Sequence, residues 1–284
     1  MKKTSSAIMN RLLPAVILIA AVIFVLNRFA RREVFVGQQI AGTIPMDQID
    51  HSAWNELLRT YVDDDGLVNY SGWKSSTSDR RKLQDYLSTL SAADPVATCP
   101  TDARLAFWIN AYNAVTIEGI LREYPTSSIR NHLPQVLGYN IWKDLKLYVD
   151  GQPFSLEQIE HQKLRTMHEP RIHFAIVCAS MGCPRLLNSA YTADEIQNQL
   201  DENARDFFRR PSNFRYDQAS KTFYLSSILK WFATDFGSHR RAQLKTISAW
   251  LPSEESRKAA VGGDVGVSFS DYDWNLNDSQ NAGR

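Results

Sequence analysis

The sequence predicts a helix-rich α+β body behind one N-terminal transmembrane helix. Three observations carry this. Leu12 to Leu26 is an unbroken run of 15 residues without a polar side chain, long for a signal-peptide core and short for a full span of about 20. From residue 51 onward, apolar residues recur mostly at helical spacing. Strand signals are few: an apolar run at Ile172–Cys178, a short strand near Lys146–Val149 and one hairpin. No repeat or low-complexity block divides 51–277, so those residues read as one compact domain. Residues 1–32 form the anchor, 33–50 a tether and 278–284 a tail.

The anchor reads as uncleaved. Phe29 and Ala30 extend the run to residues 12–30, with Arg28 snorkelling to the headgroups. The flank Asn27-Arg28-Phe29-Ala30-Arg31-Arg32 offers no small-x-small cleavage site; a cleaved signal peptide is the alternative. Lys2, Lys3 and Arg11 precede the run and Arg28, Arg31 and Arg32 follow it, which slightly favours an inside N-terminus. The expected location is a bacterial-type inner membrane, single-pass, with the main domain in the periplasm.

In the body, Trp54, Leu57, Leu58 and Tyr61 mark a first helix from His51. Asp63-Asp64-Asp65-Gly66 reads as a turn into a strand at Leu67–Tyr70; the bidentate glutamate of a calcium loop is missing. Ser78–Leu90 is amphipathic and ends before Asp94-Pro95. Asp102–Glu123 is apolar nearly all round, which places that helix at the centre, and Tyr124-Pro125 stops it. A strand around Lys146–Val149 turns at Asp150-Gly151. Ser155-Leu-Glu-Gln158 is a capping box opening a helix to about His168, and Thr192-Ala-Asp-Glu195 is a second one, before Ile196, Leu200, Ala204 and Phe207. Phe214–Tyr216 and Thr222–Leu225 form a hairpin. Helices near 227–235 and 240–250 follow, then the stop signal Gly262-Gly263 and a short tail around Val265–Asn277.

Several segments carry a resemblance together: Phe107-Trp-Ile-Asn-Ala-Tyr-Asn-Ala114, Ile159-Glu-His161 with Leu164-Arg165, and Arg171-Ile-His-Phe-Ala-Ile-Val-Cys-Ala-Ser-Met-Gly-Cys-Pro184. Ser227-Ile-Leu-Lys-Trp-Phe232, Asp235-Phe236 and Tyr272-Asp-Trp-Asn-Leu-Asn277 complete it. The combination resembles the domain-of-unknown-function 547 family over roughly residues 50–277. The resemblance implies one compact domain and no assigned activity.

Composition excludes several classes. The whole chain carries +1, but residues 1–32 hold six basic residues and no acid. The remainder has 26 basic and 31 acidic residues, a formal −5. A mildly acidic body is not a nucleic-acid binder. Three cysteines do not make a disulfide framework. No P-loop, dinucleotide fingerprint or His-Glu-x-x-His helix is present, so no nucleotide or other cofactor is expected. A protein or envelope partner is not named by the residues.

The chemistry centres on Cys183. It follows a buried strand and precedes Pro184, which at a first helical position places the thiol at a helix N-terminus and favours the thiolate. The alternatives are a structural thiol or a disulfide with Cys178, leaving Cys99 unpaired. On the strand reading, His173 and Cys178 stand about 16 Å apart on opposite faces and cannot share a proton. The helix from His161 to His168 and the strand from Pro170 to His173 each measure about 10 Å. Folded back antiparallel, they bring Glu160 or His161 near His173, a set suited to a metal, to acid–base work or to a buried structural network. Arg165 pairs with Glu160 or binds an anion. Asn110 and Asn113 share one side of the central helix, where they orient a histidine, serve an oxyanion or bond to loop backbone. Asp273, Trp274 and Asn277 read as a docking clip with Trp274 as buried anchor.

Three functions stay open at this stage. The leading one is a thiol-dependent hydrolase with Cys183 as nucleophile, His161 or His173 as base and Asn110 or Asn113 as orienting group. These lengths set the histidines toward the far end of the strand from Cys183, so a kink or another histidine such as His239 is needed. The others are a non-catalytic envelope binding module and a metal site at Glu160, His161 and His173.

Overall fold

The computed structural model describes residues 33–132 and 139–281. The expected anchor at 1–32 lies outside the described residues, as do 133–138 and 282–284. Among the described residues no helix is long and apolar enough to cross a membrane.

The architecture is helix-rich α+β, built on the helix Thr101–Glu123, which is buried along nearly its whole length. The helices Ser52–Tyr61, Tyr70–Ser75 and Thr77–Ser91 form a layer to one side, with Thr77–Ser91 and Tyr70–Ser75 packed on the central one. Aromatic rings lock that layer: Trp54 stacks on Tyr86 at 5.8 Å and Tyr61 on Trp73 at 4.8 Å. Glu118, fully buried in the central helix, is held by Arg122 at 2.6 Å and Arg80 at 3.5 Å.

Among the described residues the sheets are small. Leu145–Val149 pairs antiparallel with Gln152–Ser155 across the Asp150-Gly151 turn, and parallel with Val34–Val36 on its other edge. Residues 33–50, expected as a tether, thus supply an edge strand and bury Val36, Met46 and Ile49. The hairpin Phe214–Asp217 with Thr222–Leu225 forms as expected. It gains a third strand, Gly266–Phe269, from the region read as tail. A helix the periodicity left unassigned, Glu254–Gly262, precedes it and stops at Gly263.

Two apolar clusters form the core among the described residues. The larger surrounds the central helix. The smaller gathers Phe174, Phe207, Phe208, Phe236 and Trp250 beside the hairpin. Phe174 belongs to the small cluster and its neighbour Ala175 to the large one, so the chain crosses between them where the long strand was expected.

That strand does not form. Pro170–Phe174 is a 3-10 helix, started by Pro170 and capped by the Glu169 carboxylate, which accepts from the Arg171 N–H. Residues 175–178 are irregular, with 175–177 buried as the apolar run requires and Cys178 half-buried. Their backbone pairs with a side chain instead of a neighbouring strand: Val177 N–H donates to Asn113 Oδ1 at 3.0 Å, and Asn113 Nδ2 donates to the Ala175 carbonyl at 3.0 Å. Burial on all sides was read as a sheet interior, but an amide can satisfy the same backbone groups.

Other local expectations shift too. The strand at Leu67–Tyr70 shrinks to Val68, which bridges Val62 and Asp278, because Asn69 caps a helix starting at Tyr70. The Ser155–Gln158 capping box is present. At Thr192–Glu195 the chain makes a turn, and the helix Ile196–Arg209 starts after Glu195 without a side-chain cap. No helix begins at Pro184, so Cys183 is not at a helix N-terminus.

Candidate functional site

Two chain segments meet to make the site. The loop from Cys178 to Cys183 lies against the segment Asp273–Asn277, which straps it with backbone hydrogen bonds. Met181 N–H donates to Asn275, Gly182 N–H to Asp273 (both 2.8 Å), and Asn277 N–H to Ala179 at 3.1 Å. The strap is anchored by Leu276 and Asn277, both buried, and Asn277 accepts from the Tyr70 hydroxyl at 2.9 Å. Gly182 permits the approach: a Cβ there stands 2.9 Å from the Tyr272 ring and 3.0 Å from Asp273 backbone. Ala179 takes φ +60°, a left-handed conformation costly for a residue with a Cβ.

This clamp gathers four polar side chains. The sulfur atoms of Cys178 and Cys183 are 2.8 Å apart, and both cysteines are free. The Tyr272 hydroxyl stands 3.0 Å from the Cys183 sulfur and 3.3 Å from that of Cys178. Ser180 Oγ is 2.9 Å from that hydroxyl and 3.4 Å from Cys183 Sγ. The Cys178 backbone N–H donates to Cys183 Sγ at 3.0 Å.

Burial pushes the Cys183 thiol up, but the hydrogen bonds from Cys178, Ser180 and Tyr272 outweigh it and hold the thiol below its ordinary value. The bond to Cys183, with burial, pushes Cys178 well up. Cys183 is therefore the thiolate of the pair and Cys178 its protonated donor. Burial also keeps the Tyr272 phenol protonated, hence a donor.

Both cysteines open on a cleft of about 180 Å³. Its walls are mainly apolar, with Trp142, Ile176, Ile228, Trp231, Phe232 and Trp274. Trp231 and Trp274 stack at 5.8 Å, with Tyr272 4.5 Å from Trp274. Trp274 is thus half-buried cleft wall, not the buried anchor expected; Leu276 takes that place.

Glu160 lines the same cleft. It sits in a widened helical turn, Ile159–Leu164, where Arg165 N–H reaches the Glu160 carbonyl five residues back. Such single-turn widenings recur at functional sites. Its Oε1 is buried without a hydrogen-bond partner. Burial raises its acid group to about 7, against the pull of Arg165 and with a push from Asp235 and Cys183.

His173 also faces the cleft and is stacked on Phe232 at 4.1 Å. Its Nε2–H donates to Asp235 at 2.8 Å, and Arg165 clasps Asp235 with two bonds of 2.6 and 2.7 Å. Burial lowers His173 to about 4 despite Asp235, so the ring is neutral. Asp235, raised by burial but lowered more by Arg165 and His173, falls to about 2. Because the chain from 170 is a short 3-10 helix and not a strand, His173 and Cys178 line one cleft instead of facing opposite sides of a strand.

His161 is placed elsewhere. Its Nδ1 accepts from Arg165 at 2.8 Å, and it lines a separate hollow with His168, Thr234 and the far side of Asp235. The metal set does not assemble: the Arg165 guanidinium stands between His161 and Asp235, and His173 is committed to that carboxylate. Among the described residues no group of three His, Cys, Asp or Glu could hold a metal ion. Asn110 and Asn113 touch loop backbone, not cleft: Asn110 exchanges two bonds with Tyr191, at 2.8 and 2.9 Å, as Asn113 does with 175 and 177. His239 caps the helix Arg240–Ile247 and lies outside the cleft.

Residues 96–208 match the model of a family described as "Protein of unknown function, DUF547". The match holds the central helix, Glu160, His173 and both cysteines, a shorter stretch than the resemblance over 50–277. Tyr272, Asp235 and the aromatic cleft wall from 228 onward lie beyond it. No curated protein and no solved structure matches the chain.

The residues missed as site members are Tyr272, Ser180 and Asp235. All three stand in the segments that carry the resemblance, but the fold alone brings a phenol 89 residues distant onto the Cys183 sulfur.

Proposed function

We propose that this protein is a thiol-dependent acyl-transfer enzyme of hydrolase type, with Cys183 as nucleophile and Glu160 as proton carrier. We place it at the membrane through residues 12–30, with its body outside the cytoplasm; fractionation and protease protection of the full chain test that location. The observation that supports the activity is the Cys183 sulfur, surrounded by hydrogen-bond donors at the floor of an apolar cleft it shares with a buried, unpartnered carboxyl.

A thiolate needs no base to attack. Cys183 sulfur adds to an acyl carbon, and the leaving group departs with the proton of neutral Glu160. Water then attacks the thioester, its proton passes to the Glu160 carboxylate, and the free acid and the Cys183 thiolate are released. A carboxyl near 7 suits both directions of transfer. His173, near 4 and tied to Asp235, is the weaker base; Asn113 acts only by holding the backbone that leads to Cys178.

The test uses p-nitrophenyl esters from acetate to octanoate. The expected result is nitrophenol release with an acyl adduct on the Cys183 peptide, both absent in Cys183→Ala. Equal release by Cys183→Ala and no adduct would overturn the reading and leave a binding cleft.

A further inference from the structure

Two sulfur atoms 2.8 Å apart are closer than non-bonded sulfurs rest, and the loop between them is already clamped. Its backbone is tied to the strap at Ala179, Met181 and Gly182, and Cys183 N–H closes a turn on the Ser180 carbonyl at 3.0 Å. Joining the sulfurs therefore asks for side-chain adjustment within a fixed frame. The third cysteine is not part of this: Cys99 lies apart, beside Arg104.

We propose that Cys178 and Cys183 form a reversible dithiol–disulfide couple whose oxidation masks the Cys183 nucleophile. This regulation rests on the acyl-transfer reading of Cys183, although the couple itself does not require it.

The oxidant class is a hydroperoxide small enough for the cleft. The Cys183 thiolate attacks one oxygen of hydrogen peroxide; an S–O bond forms, the O–O bond breaks, and the departing hydroxide takes a proton from solvent to become water. Cys178 sulfur then attacks Cys183 sulfur. The S–S bond forms, the S–O bond breaks, and the leaving hydroxide takes the Cys178 thiol proton as a second water. The two sulfurs together lose two electrons, and peroxide gains them. The unequal protonation of the pair suits these roles, one thiolate to attack and one thiol to resolve. An external dithiol reverses the step by exchange.

The experiment uses the full chain in detergent, reduced, desalted and exposed to hydrogen peroxide. It is then denatured, alkylated with iodoacetamide and mapped by mass. Cys178 and Cys183 are expected to lose alkylation together as one bridged peptide while Cys99 keeps it, and dithiothreitol restores both. In Cys178→Ser, peroxide carries Cys183 on to the sulfinic acid. The proposal is overturned if wild-type Cys183 reaches the sulfinic acid as fast as that variant, or if no bridge forms. The readout is thiol state, so a bridge in a chain that forms no ester adduct sustains the couple and refutes only the nucleophile reading. The wild-type map decides even if the variant fails to fold.

Discussion

The Tyr272 hydroxyl stands 3.0 Å from the Cys183 sulfur, across 89 residues of chain. With the phenol protonated by burial, that contact is a donor to a thiolate and one of the forces holding the thiol down. A hydrogen bond to a charged group contributes about 1.5–3 kcal/mol, and 1.36 kcal/mol corresponds to about one pKa unit. Tyr272→Phe is therefore expected to raise the Cys183 pKa by about one to two units while keeping the ring against Trp274. The rate of iodoacetamide alkylation of Cys183 against pH measures it. An unchanged profile refutes the donor role.

Glu160 makes stability depend on pH. Its folded acid group is raised from 4.5 to about 7, so the folded chain holds a proton that the unfolded one has released in between. The associated stability is full below about 4.5 and lost as pH rises to about 7, on the order of 3 kcal/mol. Glu160→Gln removes this slope. Urea unfolding of both proteins at pH 5 and pH 8 is expected to show the variant gaining on wild type at the higher pH.

The buried histidines act in the opposite direction. His173 and His51 are both lowered by burial from 6.5 to about 4. The unfolded chain takes up protons that the folded chain refuses. Stability from each is present above about 6.5 and lost as pH falls toward 4, again on the order of 3 kcal/mol. His51→Gln, which removes a ring bonded to the Tyr86 hydroxyl and set beside Phe107, is expected to blunt the acid sensitivity. A variant as acid-sensitive as wild type contradicts the assignment.

Asn113→Ala leaves the Val177 N–H and the Ala175 carbonyl buried without partners. At about 1–3 kcal/mol for each orphaned group, the expected loss is about 2–6 kcal/mol by urea unfolding. A loss well under 1 kcal/mol means that water or a shifted chain replaces the amide.

Gly182→Ala probes the strap. The added methyl meets Asp273 backbone and the Tyr272 ring, and backbone cannot swing aside. A loss of about 1–3 kcal/mol is expected, together with a Cys183 pKa moved toward that of Tyr272→Phe. If stability falls and the thiol does not change, Tyr272 is not carried by the strap.

Local patterns resolved much of the architecture. Apolar residues on nearly every face of 101–123 are compatible only with a central helix. The Ser155–Gln158 cap and the Phe214/Thr222 hairpin depend on neighbours a few residues away, and both formed. The Ile172–Cys178 run shows the limit: its burial was correct, and its conformation was not. Apolar composition reports that a segment is inside, whereas the partner for its backbone came from an asparagine 62 and 64 residues earlier.

Short-range spacing and residue chemistry were enough to read the central helix, the buried run ending at Cys178, and Cys183 and Glu160 as residues worth testing. Which groups share a cleft was set by the packing of distant segments. It placed His161 behind Arg165, gave His173 to Asp235, and set Tyr272 on the cysteines. Such choices depend on long-range packing and on charges and donors brought together across tens of residues, and a thiol's protonation answers to those neighbours rather than to its place in the chain.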